Sequence, residues 1–175
     1  MQKTIWITGL SGAGKSTLAV KVCEILRNSG EIVVCLDGDQ LREIFNAADY
    51  SKINHGREAR LSLAMQYAHL SHIIAEQGVT LVIATISMFK EVHKWNRDNL
   101  PNYFEVLLKV PLEELKRRDP KGIYLRYDRG ELSDVAGLDL EVDEPNSPDL
   151  LFEFNNERNT VEEMAETVIS KQKEK

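Results

Sequence analysis

Short apolar runs alternate along this chain with stretches that are apolar on one side only, and the two periods predict different elements. Ile5, Trp6 and Ile7 within Lys3 to Thr8 form a continuous apolar run that reads as a buried strand. From Thr17 onward Leu18, Val22 and Ile25 recur at helical spacing, and Asn28-Ser29-Gly30 supplies the stop. Glu31 to Leu36 is a second strand, apolar enough for a sheet covered on both faces. Ala47 to Gly56 has no period and reads as a loop with Tyr50 as its aromatic. The longest helix runs from Arg57 to Gln77 with Leu63, Tyr67, Leu70 and Ile74 as its stripe, Ala64 and Ala68 beside it, and Gly78 as its stop. Val79 to Ile86 is a third strand and Met88 to Asn99 a short helix carrying Lys90, Lys94, Trp95 and Arg97, which face either the site or solvent. Tyr103 to Val110 is a fourth strand, and Pro111 opens a helix where proline is favoured. Leu150 to Phe154 is a candidate fifth strand. Asn159 then caps a last helix, with Glu162 three residues on and Val161, Met164 and Val168 facing inward, and the Lys-rich end after Ser170 is expected to fray.

Strand and helix in alternation predict an α/β fold: three layers, with a mostly parallel five-stranded sheet. At 175 residues the chain makes one domain, 1–175. Pro120 to Leu150 breaks the alternation. It is polar, punctuated by Gly and Pro, and carries Lys121, Arg126 and Arg129. A segment of that length inside a domain reads as a lid suited to phosphates, roughly 120–150.

The junction of first strand and first helix carries the chemistry. Gly9-Leu10-Ser11-Gly12-Ala13-Gly14-Lys15-Ser16, followed by Thr17, fits the phosphate-binding loop G-x-x-x-x-G-K-[ST] in its proper strand–helix setting. Gly9, Gly12 and Gly14 let the backbone curl until its N–H groups point inward at a helix N-terminus. Lys15 reaches the β- and γ-phosphates, and the Ser16 hydroxyl sits on Mg²⁺. The chain is therefore expected to bind a nucleoside triphosphate.

The second strand ends in Asp37-Gly38-Asp39-Gln40-Leu41-Arg42, at the sheet edge where open α/β folds bind ligands. Asp37 and Asp39 are candidates for a general base and for metal contact, Arg42 for an anionic substrate. A helix cap would account for Asp39 alone. No aspartate follows the third strand, which ends at Ser87, so the Asp37/Asp39 pair must supply the carboxylate. No Asn-Lys-x-Asp motif is present, against a GTPase switch. His69 and His72 sit three apart, but no further ligand is suggested and a polar surface pair is preferred to a metal site.

Charge narrows the partners. The formal net charge of −6 argues against general nucleic-acid binding, while a local basic pocket still suits small anions. Cys23 and Cys35 fall at apolar positions and read as reduced core residues. Met1-Gln2-Lys3 runs straight into a strand and no apolar run approaches membrane-spanning length, so a cytoplasmic location is expected.

With the pieces placed, the chain resembles the adenylylsulfate kinase family over roughly Ile5 to Leu150. The resemblance rests on the phosphate loop, on Leu36-Asp37-Gly38-Asp39-Gln40-Leu41-Arg42, and on Pro111-Leu112-Glu113 followed by Arg118-Asp119-Pro120-Lys121-Gly122-Ile123-Tyr124. It implies Mg²⁺-dependent transfer of phosphate from ATP to a nucleotide 3′-hydroxyl. It further implies Asp37 as base, Arg42 on the acceptor's anionic group, Lys121 and the lid over the phosphates, and Arg118 near the ATP base. Tyr50 stands where the family has a stacking phenylalanine. Ser87 matches the family's Ile-Ser motif together with Ile86, although in-line transfer requires no phosphoserine. The resemblance also admits a homodimer.

The departures fall on the acceptor side. Ala84-Thr85-Ile86-Ser87-Met88-Phe89-Lys90 stands for the usual Ser-Phe-Ile-Ser-Pro-Tyr-Arg, and lysine loses the bidentate fork of arginine. Val135-Ala136-Gly137-Leu138-Asp139 replaces Phe-Thr-Gly-Ile-Asp. The family's Asn-Ile-Arg-Arg has no counterpart, which leaves Arg60 as the surviving basic contact. Thr85 to Phe89 with Trp95-Asn96-Arg97 is similar to a divergent branch, the cytidine diphosphoramidate kinases, and that acceptor is favoured over adenylylsulfate. A regulator that keeps the loop without turnover is a more distant alternative, disfavoured by Lys15, Ser16, Asp37 and Arg42.

Overall fold

The computed structural model describes residues 2–45, 56–154 and 159–175. In chain order the elements are β1 (Thr4–Gly9), α1 (Lys15–Asn28), β2 (Val33–Asp37), α2 (Gly38–Ile44), α3 (Arg57–Ala75), β3 (Thr80–Ala84), α4 (Lys90–Asn99), β4 (Tyr103–Lys109), α5 (Leu112–Arg118), α6 (Ile123–Asp128), β5 (Leu150–Glu153) and α7 (Val161–Glu174). The five strands lie in the order β2-β3-β1-β4-β5, and every pairing is parallel. The sheet, expected to be mostly parallel, is wholly so among the described strands.

β1 is central and wholly buried. Its alternate residues serve opposite layers, as the strand period requires. Ile5 and Ile7 pack with Leu18, Val22 and Leu26 of α1 and with Ala165 and Val168 of α7. Trp6 packs on the other face with Ala64 and Ala68 of α3 and Val92 of α4. Ile5 lies beside Val82 of β3 and Phe104 of β4, so the phosphate-loop strand sits between the two. The chain leaves β1 toward β2 on one side and later reaches β4 on the other. That reversal places the carboxyl end of β1 at a topological switch point, where such sheets bind ligands.

Several sequence expectations shift. β2 begins at Val33 rather than Glu31 and is a half-buried edge strand in which only Val33 is fully buried. Glu31 instead pairs with Lys3 at 3.0 Å and accepts from the Thr80 hydroxyl. On α3 the buried residues are Ala64, Tyr67, Ala68, Ser71 and Ala75, while Leu63, Leu70 and Ile74 are half-buried. Small side chains take the tight contact with the sheet, and the larger ones flank it. His69 and His72 make edge-on contacts to the Trp95 ring, with centroids 4.6 and 5.9 Å away, which explains their spacing without a metal. The last helix is capped one residue later than expected: Thr160 and Glu163 form a reciprocal capping box. Its end is tied rather than frayed, because the Lys175 ammonium donates to the Tyr103 carbonyl and the Asp149 carboxylate, each at 2.6 Å.

β4 carries a buried acid. Glu105 is 2% exposed, and accepts from the Tyr103 hydroxyl and the His93 ring at 2.8 Å each and from Arg97 at 2.8 Å. Arg97 also reaches Asp149 at 2.7 Å, so α4 is clamped to the strand and to the segment leading into β5. Cys23 and Cys35 are free thiols. No described helix is long and apolar enough to cross a membrane.

Candidate active site

The phosphate loop is built as its glycines demand. Gly9, Gly12 and Gly14 take φ of 151°, 80° and 99°, in the region that disfavours side chains. At Gly9 a Cβ would lie 2.6 Å from the Leu108 carbonyl of β4, so only glycine lets the loop start this close to the neighbouring strand. Gly14 caps α1 without a side-chain bond. The first amides of α1 therefore face the loop's hollow, an anion site by geometry.

A cavity of about 500 Å³ opens over this loop. Ser11, Gly12, Gly14, Lys15, Ser16 and Thr17 form one end. Asp37, Asp39, Arg42, Ile86 and Ser87 line it as well. Arg60, Arg118 and Lys121 complete the ring of charge. Of the remaining loop residues, Gly9 and Leu10 lie beneath, and Ala13 borders a second cavity of about 420 Å³. Tyr50 lies outside the described residues.

The four residues singled out for chemistry, Lys15, Asp37, Asp39 and Ser87, share this cavity. Asp37 ends β2 in extended conformation and caps α2, accepting the Asp39 N–H at 2.8 Å. Capping thus belongs to Asp37 rather than Asp39. Its other oxygen accepts the Ser16 hydroxyl at 2.5 Å. Asp39 is free of the backbone role and forms an ion pair with Lys121 of the lid. Ser87 is buried in left-handed conformation with φ of 31°, and its hydroxyl lies 2.8 Å from that of Thr85. Arg42 stands beside the Tyr67 hydroxyl, and Arg60 donates to the Asp134 carbonyl of the lid at 2.5 Å.

Ser16 and Asp37 suit Mg²⁺: hard oxygens, few in number, next to a phosphate site that supplies the rest of the coordination. Among the described residues no group of three or more His, Cys, Asp or Glu is placed to hold a metal ion.

The Lys15 ammonium donates to the Leu10 carbonyl at 2.9 Å. Burial first, and Lys121 second, lower its pKa to about 8, against the pull of Asp39 and Asp37. A bound polyphosphate restores the charged form, so nucleotide affinity should be steady up to about pH 8 and then fall, by at most about tenfold per pH unit. Calorimetric titration with Mg-ATP, without acceptor, at pH 7, 8 and 9 checks this. A flat profile to pH 9 would show that Lys15 stays charged in the free protein.

The 120–150 segment, expected to act as a lid, holds more regular structure than its sequence suggested. Two turns of helix, α6, lie inside it, opened by Asp119, whose carboxylate accepts the Tyr124 and Leu125 N–H groups. The fully buried Tyr124 donates its hydroxyl to the Ser11 carbonyl at 2.9 Å, with its pKa pushed up to about 12 by burial. Gly137 approaches Leu10 so closely that a Cβ would meet its side chain at 2.7 Å. Lid and phosphate loop are thus in direct contact. Arg126 borders the cavity, whereas Arg129 lies outside its lining. The basic residues of α4 also stay out: Lys94 pairs with Asp98 and Arg97 with Glu105 and Asp149.

Apolar residues complete its walls, among them Met88, Phe89 and Val135 from the acceptor-side departures and Ala64, Tyr67 and Leu140, which were not foreseen there. Leu63, Ala64, Tyr67, Met88 and Phe89 line the cavity together with Val135 and Leu140 of the 120–150 segment. Tyr67 had been read as core, and its period alone could not distinguish core from cavity. Arg118 lies over the Phe154 ring at 5.2 Å, beside the second cavity.

The adenylylsulphate kinase profile matches residues 1–153. The chain belongs to that family. It is 37% identical over 167 residues to a cytidine diphosphoramidate kinase of Campylobacter jejuni, covering 95% of this chain and 94% of that one. It is equally 37% identical, over 171 residues, to a probable adenylyl-sulfate kinase of Pyrococcus abyssi, covering 98% and 95%. The fold superposes on the Mycobacterium tuberculosis APS kinase CysC in complex with AMPPNP and APS with a TM-score of 0.87 and 32% identity, covering 98% of each chain. A family of nucleotide kinases makes the chain a phosphotransferase with a hydroxyl acceptor, served by ATP and Mg²⁺.

Proposed function

We propose that the chain transfers the γ-phosphoryl group of ATP to the ribose 3′-hydroxyl of a small nucleotide with a modified 5′-diphosphate-like group, cytidine diphosphoramidate being the favoured acceptor. The observation that carries this reading is the cavity whose lining brings the phosphate loop, Asp37 and a set of apolar side chains together. The loop amides and Lys15 hold the donor phosphates, and the donor base lies toward the second cavity, against Arg118 and Phe154. Mg²⁺, held by Ser16 and Asp37, would neutralise charge on the transferred group. The acceptor oxygen attacks the γ-phosphorus in line, its proton passes to Asp37, and the bond to the β-phosphate oxygen breaks to release ADP. Arg42 and Arg60 orient the acceptor's anionic group, and Lys121 closes over the phosphates with the lid.

The choice of acceptor is supported by the apolar lining. Val135, where the family resemblance calls for an aromatic, is nearly buried among aliphatic neighbours and offers little stacking area. A pyrimidine needs less than an adenine. The alternative is adenylylsulfate, given the equal similarity to relatives of either name.

ADP release from Mg-ATP with the two acceptors offered separately is the test. Faster release with the cytidine compound is expected. Preference for adenylylsulfate would overturn the assignment and make the substitutions at Met88, Lys90 and Val135 neutral. Release with neither would leave an ATP-binding kinase with another acceptor.

A further inference from the structure

One lid residue fastens the segment's second half to the acceptor wall. The Asp143 N–H donates to the Met88 carbonyl at 2.9 Å. Its own carbonyl lies 2.8 Å from His93 Nε2. Its carboxylate accepts from Arg57 at 2.7 Å and from the backbone N–H of Lys90 at 3.2 Å. Its backbone and carboxylate thus hold residues 88–93 at the start of α4 and, through Arg57, the start of α3.

That stretch needs holding. α4 opens at Phe89 with no side-chain cap of its own, and Asp143 supplies a carboxylate there from far along the chain, where the helix dipole favours negative charge. Ser87, just upstream, is held in a left-handed conformation that a residue with a side chain keeps only under constraint. Met88 and Phe89 line the cavity. Arg57, the partner of Asp143, lies over the Phe89 ring at 5.3 Å. His93, which lies against the Asp143 carbonyl, is itself held by the buried Glu105.

We infer that Asp143 is a positioning residue for the acceptor. It fixes the Ser87–Met88–Phe89 turn and couples it to the lid, so that acceptor wall and lid keep one geometry. It touches neither substrate, and its effect falls on the acceptor, not on ATP. The kinetic part of this inference rests on the kinase reading above; the structural part does not.

Asp143→Ala retains both backbone contacts and so keeps the segment seated. Asp143→Asn keeps an oxygen for the Lys90 N–H and loses the charge that faces Arg57. With cytidine diphosphoramidate and with adenylylsulfate as separate acceptors, the KM for whichever is turned over should rise about tenfold in the alanine variant, the scale of losing a charge-assisted hydrogen bond. The rise should be smaller in the asparagine variant, and the KM for Mg-ATP should stay within about twofold in both. Hydrogen exchange in the ligand-free alanine variant should quicken at residues 87–92 and 140–144, with the phosphate loop unchanged. A parallel rise of both KM values, or unchanged exchange at 87–92, overturns the inference. If the wild type turns over neither compound, the acceptor assignment fails while the exchange measurement still decides the latch.

Discussion

Asp37→Asn should lower turnover by about 10²–10⁴-fold, the usual contribution of a positioned general base, with little change in stability. The separation of the two effects comes from the geometry. Asparagine has the shape of aspartate and its carbonyl oxygen can still accept the Asp39 N–H, so the cap of α2 survives. It cannot take a proton from a substrate hydroxyl, and it is a poorer partner for a cation beside Ser16. ADP release with the working acceptor, set against a thermal melt, measures both. Turnover that survives largely intact in a stable variant would move the base elsewhere, with Asp39 next in line.

The second large effect is on the fold. Glu105→Ala should cost about 3 kcal/mol, because it strips three donors of a buried acceptor at once and leaves Arg97 short of one partner. Arg97 is partly exposed and keeps Asp149, which holds the loss at the lower end of the range for a broken buried pair. For a chain of this size that is a fall in Tm of about 6–12 °C. Thermal unfolding followed by circular dichroism reads it. A shift under about 1 °C would mean that the buried network contributes nothing net.

What the sequence made legible was the part of the molecule governed by local rules. The phosphate loop needs glycines at fixed positions for backbone reasons, and its residues read directly onto the structure. Asp37 was found because polar groups appear abruptly at a strand's carboxyl end. What stayed hidden depends on the distance between segments. Nothing local at Asp143 signals that it caps a helix more than fifty positions upstream, and Tyr124 reads as one more lid residue until its hydroxyl is placed on Ser11. The α3 face was found but its deepest residues were not all named, for a related reason: periodicity gives the direction of the apolar face, while close packing against the sheet selects its small residues. The lid helix α6 is too short to declare itself by period, and its cap, Asp119, had been counted as part of the family motif alone.

The central position of β1 has a consequence for how the chain assembles. The strand that carries the phosphate loop is made first, yet its neighbours arrive only with Val82 and Phe104. At about 5–20 residues per second on a ribosome it waits several seconds with both edges open and Trp6 unburied. The whole site cannot exist at that stage, since its lining includes Lys121, Val135 and Leu140, which follow β4 in the chain. The ligand site is therefore a late product of folding, and the sheet's middle strand is the one most in need of protection until the chain has passed β4.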